Sequence, residues 1–193
     1  MNTQKHMLEI RWHGRGGQGA VTASKVLAES AMALGKYIQA FPEYGSERQG
    51  APIKSFTRIS DEKIRFHTQV KNPDVVLLLD PTLLGVVDIA EGLGDKGILI
   101  INTTDTPAEV RKILGLQGRR IYTVDATGIS LKHLGKSIPN TPMIGAIAGI
   151  TKLLAPEALA EDFRKKFKNK FRPEIVEGNV KCIMEAATEV KSE

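Results

Sequence analysis

The residues of this 193-residue chain best suited to chemistry are Gly14, Arg15, Gly16, Gly17, Gln18 and Gly19, which fit the pattern G-x-G-x-x-G. Where side chains are missing, a backbone can approach an anion closely, and free N–H groups at a helix start attract phosphate with help from the helix dipole. The same glycines also suit a purely structural role, a tight turn that lets a helix pack close on a strand. A dinucleotide site needs one thing more: an acidic residue about 20 positions on, at the end of the second strand, to hold ribose hydroxyls. That region reads Gln39, Ala40, Phe41, with Glu43 only after Pro42, which argues against a stand-alone nicotinamide dehydrogenase.

A second cluster, PEYGSERQGAP at 42–52, sets Glu43, Tyr44, Glu47, Arg48 and Gln49 around Gly45 and Gly50. Charge of that density is costly to bury unless paired, so one reading is an exposed loop with local ion pairs. The other places the loop beside GRGGQG, above the carboxyl ends of the strands, where open α/β sheets bind ligands. Arg15 and Arg48 are then the anion-binding candidates. A third feature, the basic run Arg164, Lys165, Lys166, Lys168, Lys170 and Arg172, surrounds Phe163, Phe167 and Phe171 at spacing four. It reads first as an amphipathic helix with a solvated basic face. His6, His13, His67 and His133 are scattered without metal-ligand spacing, and Cys182 sits among apolar residues as a packing side chain.

The elements that must position these residues alternate. Residues 8–12 read as a strand, and Gln18 to Leu34 as a helix closed by Gly35. Residues 37–41 read as a second strand stopped by Pro42, closing a βαβ unit. Ile53 to Ile59 alternates and is followed by Ser60-Asp61 and KIRFH, the pattern of an inserted antiparallel hairpin. DVVLLLD (74–80) and GILIIN (97–102) are continuous apolar runs of strand length, as in parallel strands buried on both faces. A helix is expected from Pro81, another from Thr106-Pro107 to Gly115, a strand at 120–126, and helices after Pro142 that carry PEALAEDFRKKFKNKF through Phe171. The predicted fold is α/β: a mostly parallel, Rossmann-like open sheet flanked by helices, with the hairpin and C-terminal helices, in a single domain spanning 1–193.

Composition narrows the function. The hydrophobic fraction of 41% and charged fraction of 25% suit a packed globular core. A balance of 27 basic against 22 acidic residues, net +5, mildly favours acidic or phosphorylated partners, while RNA-binding signatures are absent and nucleic acid is not expected. No stretch reaches the roughly 20 apolar residues of a membrane helix and the N-terminus has no apolar signal core, so no membrane partner and a cytoplasmic location are expected. One cysteine cannot supply a disulfide framework, a multi-cysteine zinc site or an iron–sulfur cluster.

GRGGQG after the first strand, EYGSERQGAP after the second, IKSFTRISDEKI, and NTPMIGA at 140–146 together make the chain resemble, over nearly its whole length, the gamma subunit of the pyruvate:ferredoxin oxidoreductases, also called pyruvate synthases. The GSERQGAP form, with Arg48 and an Ala-Pro in place of a glycine pair, resembles the pyruvate branch of the wider 2-oxoacid:ferredoxin oxidoreductase family. The resemblance implies oxidative decarboxylation of pyruvate with coenzyme A to acetyl-CoA and carbon dioxide, reducing ferredoxin, reversibly. It implies thiamine diphosphate, magnesium and 4Fe–4S clusters on alpha, beta and delta partner subunits, since this chain lacks a GDG-type motif followed by paired asparagines and lacks the cysteines. No catalytic residue and no metal ligand is expected here, and the isolated chain is expected to be inactive. Gly14 to Gly19, with Tyr44, Glu47 and Arg48, are expected to face the partners and help position coenzyme A. The alternative is a subunit that serves assembly alone.

Overall fold

The computed structural model describes residues 7–43 and 50–193. Its seven-stranded sheet has the order β2-β3-β1-β4-β5-β6-β7, built from β1 (Met7–Arg15), β2 (Tyr37–Glu43), β3 (Pro52–Ser60), β4 (Val75–Leu78), β5 (Ile98–Asn102), β6 (Arg120–Val124) and β7 (Lys191–Ser192). β1, β4, β5 and β6 pair in parallel, whereas β3 is antiparallel to both β1 and β2, and β7 is antiparallel to β6. Hence β3 and β7 run against the other five strands.

Alternation along the central strands divides two apolar layers. Ile10, Trp12, Val75, Leu77, Ile98 and Ile100 face one layer, packed against residues of α1 (Ala20–Ala33), α3 (Ala126–Leu134), α4 (Asn140–Thr151), α5 (Pro156–Phe167) and α6 (Pro173–Thr188). Val76, Leu78, Leu99, Ile101 and Ile121 face the other, against Leu83, Ile89, Leu93 and Val110 of α2 (Pro107–Leu114). Every residue of β4 and β5 is buried, as their unbroken apolar runs require. α2 is set by its ends: Thr106 and Glu109 form a capping box, Pro107 opens the helix and Gly115 closes it in the left-handed region.

Five expectations are corrected. β2 runs parallel to β1 but is not its neighbour, because β3 lies between them. The antiparallel partner of 53–59 is β2 on one side and β1 on the other, whereas 63–67 forms no strand. That segment instead lies over the sheet, where the Phe66 ring packs 4.8 Å from the buried Arg58 guanidinium and the Phe66 carbonyl accepts from Gln39 Nε2 at 2.7 Å. Pro42 lies within β2, at the sheet edge where a residue without N–H is tolerated. Pro81 opens only a short 3-10 turn, Pro81–Leu83, and α5 ends at Phe167 rather than Phe171.

α4 and α6 approach closely because α4 turns Gly145 and Gly149 toward α6. A Cβ at Gly145 would stand 2.2 Å from the Ile183 carbonyl oxygen, and one at Gly149 would stand 2.3 Å from that of Ala187.

Candidate functional site

The Gly-rich turn forms where β1 leaves the sheet and α1 enters. Gln18 N–H donates to the Arg15 carbonyl at 3.1 Å, and the Gln18 side-chain oxygen accepts from Arg15 N–H at 2.8 Å. Gly17 and Gly19 have φ of 96° and 82°, which side chains disfavour. Gly19 is constrained twice, since a Cβ there would lie 2.6 Å from Asn140 Nδ2. The Gly19 carbonyl accepts from Ala23 N–H at 2.8 Å and so begins α1, whose N-terminus has no side-chain cap. Among the described residues, no side chain satisfies the N–H groups of that first turn.

Asp80, two residues beyond the end of β4, ties this turn down. Its Oδ2 accepts from Gln18 Nε2 at 2.7 Å and lies 3.1 Å from Arg15 Nε, while Oδ1 accepts from the Thr82 amide at 2.9 Å and the Thr82 hydroxyl at 2.7 Å. Burial alone would raise the Asp80 carboxyl; the bonds from Thr82 and Gln18 and the Arg15 charge outweigh it and hold the carboxyl below its ordinary value. The Asp80 side chain is 8% exposed and that of Arg15 32%, so the pair sits at the lip of the site.

Arg15 also joins the two loops. Its Nη1 donates to the Gly50 carbonyl at 3.1 Å, and Gly16 N–H donates to the Ala51 carbonyl at 3.1 Å. The described end of the 42–52 cluster thus lies against the Gly-rich turn. Tyr44, Glu47 and Arg48 lie outside the described residues. Gln18, by contrast, spends both ends of its amide on Arg15 and Asp80, which makes it a strut of the turn.

The same edge of the sheet carries polar residues not singled out from the sequence. Asn102, ending β5, donates from Nδ2 to the Leu79 carbonyl at 2.7 Å and to Thr127 Oγ1 at 2.9 Å, and its oxygen accepts from Thr127 N–H at 3.1 Å. Asp125, just after β6, caps α3 by accepting from Gly128 N–H. Asp80, Asn102 and Asp125 each follow or end a parallel strand, and the available signal was the first polar residue after each apolar run. Glu43 is displaced from this row. With β3 interposed, the end of β2 stands two strand spacings from β1, roughly 10 Å, which removes the geometry a ribose-binding acid needs.

The other titratable candidates among the described residues each have a partner of their own. His13 is buried and accepts from Arg11 Nε at 3.0 Å, and burial with the neighbouring Arg11 and Lys54 charges lowers it to about 3, so it is neutral. Arg11 Nη2 donates to the carbonyls of Ile89 and Glu91 at 3.1 and 2.6 Å. His133 lies 2.7 Å from Glu185, and His67 lies 3.4 Å from Gln39; His6 is outside the described residues. Burial pushes the Cys182 thiol up to about 12, far from the thiolate that metal ligation requires. Among the described residues no group of three or more His, Cys, Asp or Glu could hold a metal ion, and a lone buried thiol does not fit an iron–sulfur cluster.

Comparison with known proteins identifies the family of the chain. The family model described as pyruvate ferredoxin/flavodoxin oxidoreductase matches residues 9–189. The chain is 48% identical to the pyruvate synthase subunit PorC of Thermotoga maritima, over 99% of this chain and 98% of that protein. It is also 48% identical to the pyruvate/ketoisovalerate oxidoreductases common subunit gamma of Pyrococcus furiosus, over 93% of this chain and 95% of that one. The crystal structure of the Thermotoga maritima pyruvate oxidoreductase subunit superposes with a TM-score of 0.87 at 46% identity, covering 98% of this chain and 99% of that one. A Magnetococcus marinus 2-oxoglutarate:ferredoxin oxidoreductase shares the fold at 19% identity with a TM-score of 0.76, this chain covering 31% of its length. The chain belongs to the pyruvate ferredoxin/flavodoxin oxidoreductase family.

Proposed function

We propose that this chain is the gamma subunit, a single domain over 1–193, of a multisubunit cytoplasmic enzyme that oxidatively decarboxylates pyruvate with coenzyme A. The products are acetyl-CoA and carbon dioxide, and the electrons released reduce ferredoxin; the reaction runs in either direction. The observation that carries this reading is the 48% identity to a pyruvate synthase subunit along 99% of the chain. Thiamine diphosphate, magnesium and 4Fe–4S clusters belong on alpha, beta and delta partners, where thiamine diphosphate supplies the carbanion chemistry. Relatives named as a gamma subunit common to pyruvate and ketoisovalerate oxidoreductases favour placing the choice of 2-oxoacid on the other subunits.

The chain's own part is positional. Gly14 to Gly19 supply a turn that a polyanion can approach closely, and Arg15, tethered by Asp80 and Gly50, presents a partly neutralised cation at its lip. Tyr44, Glu47 and Arg48 extend the same edge in sequence. These groups face the partners' catalytic centre and steady coenzyme A there. In the reconstituted complex, Arg15→Ala and Arg48→Ala are expected to raise the coenzyme A KM or lower turnover while assembly is kept. Wild-type values for both parameters in both variants would remove this role.

One observation favours a second reading, assembly alone. Arg15 and Gln18 are already occupied by Asp80, Thr82 and Gly50, as members of a structural strut would be. Under that reading the same variants lose complex formation in proportion to activity.

A further inference from the structure

Phe163, Phe167 and Phe171 form a ladder that climbs out of the core. Successive ring centroids are 4.4 and 5.5 Å apart, Phe163 is 5% exposed, and Phe171, beyond the end of α5, is 49% exposed. The upper rungs line a groove of about 250 Å³ between α1, α4, α5 and α6, with Val26, Ile144, Ile175 and Ile138 on its walls. An open apolar groove of this kind is a standing cost in water unless something covers it. Its volume falls below the roughly 300–1,000 Å³ typical of small-molecule pockets and matches one or two anchoring side chains of a polypeptide.

The rim is positive. Arg164, Lys165 and Lys166, earlier in the basic run, are spent on Glu161, Glu177, Asp162 and Glu29. Lys136, which lines the groove, and Arg172, next to Phe171, are exposed and make no ion pair or side-chain hydrogen bond among the described residues. Lys170 lies with its ammonium 5.5 Å from the Phe167 ring centroid. Glu174, in the first turn of α6, is the nearest carboxylate in sequence and leaves the rim cationic. Unspent cations around an apolar groove complement an acidic segment with an apolar anchor.

We propose that this groove docks an acidic segment of another polypeptide, which inserts an aromatic or branched aliphatic side chain beside Phe167 and Phe171 and sets its carboxylates against Lys136, Lys170 and Arg172. The groove is lined by helices rather than by the Gly-rich turn, so the inference stands apart from the coenzyme A role. A photo-crosslinking benzophenone residue at position 171, in the full chain co-expressed with its native partners, tests it directly. The expected result is a cross-link to a net-acidic segment of a different polypeptide. A cross-link to a second copy of this chain, to a neutral or basic segment, or to nothing overturns it. Lys136→Glu and Phe171→Ser, neither needed to fill the core, are expected to leave the melting temperature of the chain unchanged and to weaken its association with the partners at least tenfold. The control Lys165→Glu should not weaken it. Equal association in all three variants likewise overturns the docking site, and pyruvate oxidation by the same preparation reports separately on the proposed reaction.

Discussion

Arg15 Nε lies 3.1 Å from Asp80 Oδ2, so the most prominent cation of the Gly-rich turn is paired with a carboxylate two residues past the end of the neighbouring parallel strand. The pair links β1, β4 and, through Gly50, the loop leading into β3. Its meaning for function is that the turn is held in shape before any ligand or partner arrives.

Asp80→Asn tests that linkage. Either orientation of the new amide sets an N–H against another donor, Gln18 Nε2 and Arg15 on one side or the Thr82 amide on the other. The variant is expected to lose about 1–3 kcal/mol of stability at pH 7, read by denaturant unfolding. Because the Asp80 carboxyl is lowered in the folded chain, its contribution is present above the ordinary carboxylate range and is lost as pH falls through the lowered value. Unchanged unfolding midpoints would show the pair to be incidental.

Gly19→Ala is expected to damage the site more than its size suggests. The backbone stands at φ 82°, where a side chain adds roughly 1–2 kcal/mol, and the new Cβ meets Asn140. The Asn140 amide must then swing aside, loosening the contact between the start of α4 and the start of α1. Hydrogen exchange should show faster opening at both helix starts, whereas protection equal to wild type would mean that the turn tolerates the change.

His13 gives the fold an acid sensitivity with a defined sign. Its folded value of about 3 is below its ordinary value of 6.5, so its neutral form stabilises the fold fully above 6.5 and the benefit is lost as pH falls toward 3. The slope approaches about 1.4 kcal/mol per pH unit within that window. His13→Gln keeps an acceptor for Arg11 and should flatten the pH dependence of unfolding between pH 6 and 4. An unaltered slope would assign the acid sensitivity to other groups.

Gly145→Ala should separate α4 from α6, because the 2.2 Å approach to the Ile183 carbonyl leaves no room for a methyl group. Overpacking of this kind typically destabilises by about 1–3 kcal/mol, visible as a lowered melting temperature. A variant as stable as wild type would show that the helices can slide apart without loss.

What the sequence made legible follows from local physics. DVVLLLD and GILIIN are central strands because an unbroken apolar run can only be buried on both faces. Thr106-Pro107 and Gly115 mark the ends of α2 because capping is decided by adjacent residues. The position of β3 was not legible, since which strand pairs with β1 depends on long-range contacts. The residues of β2 look the same whether they neighbour β1 or sit one strand further out. GRGGQG was located correctly between strand and helix, but the partners that fix it are 62 residues away in the case of Gln18 and Asp80, and no spacing rule announces such a pair.

The central claim is that this chain works as one subunit of a pyruvate-oxidising complex. Affinity purification of the chain from its native source, followed by assay of pyruvate- and coenzyme A-dependent reduction of ferredoxin, tests it most directly. The expected result is co-elution with subunits that carry thiamine diphosphate and iron–sulfur clusters, with activity that disappears when this chain is depleted and returns when it is added back. A chain that elutes alone, or a complex that keeps full activity without it, would contradict the account.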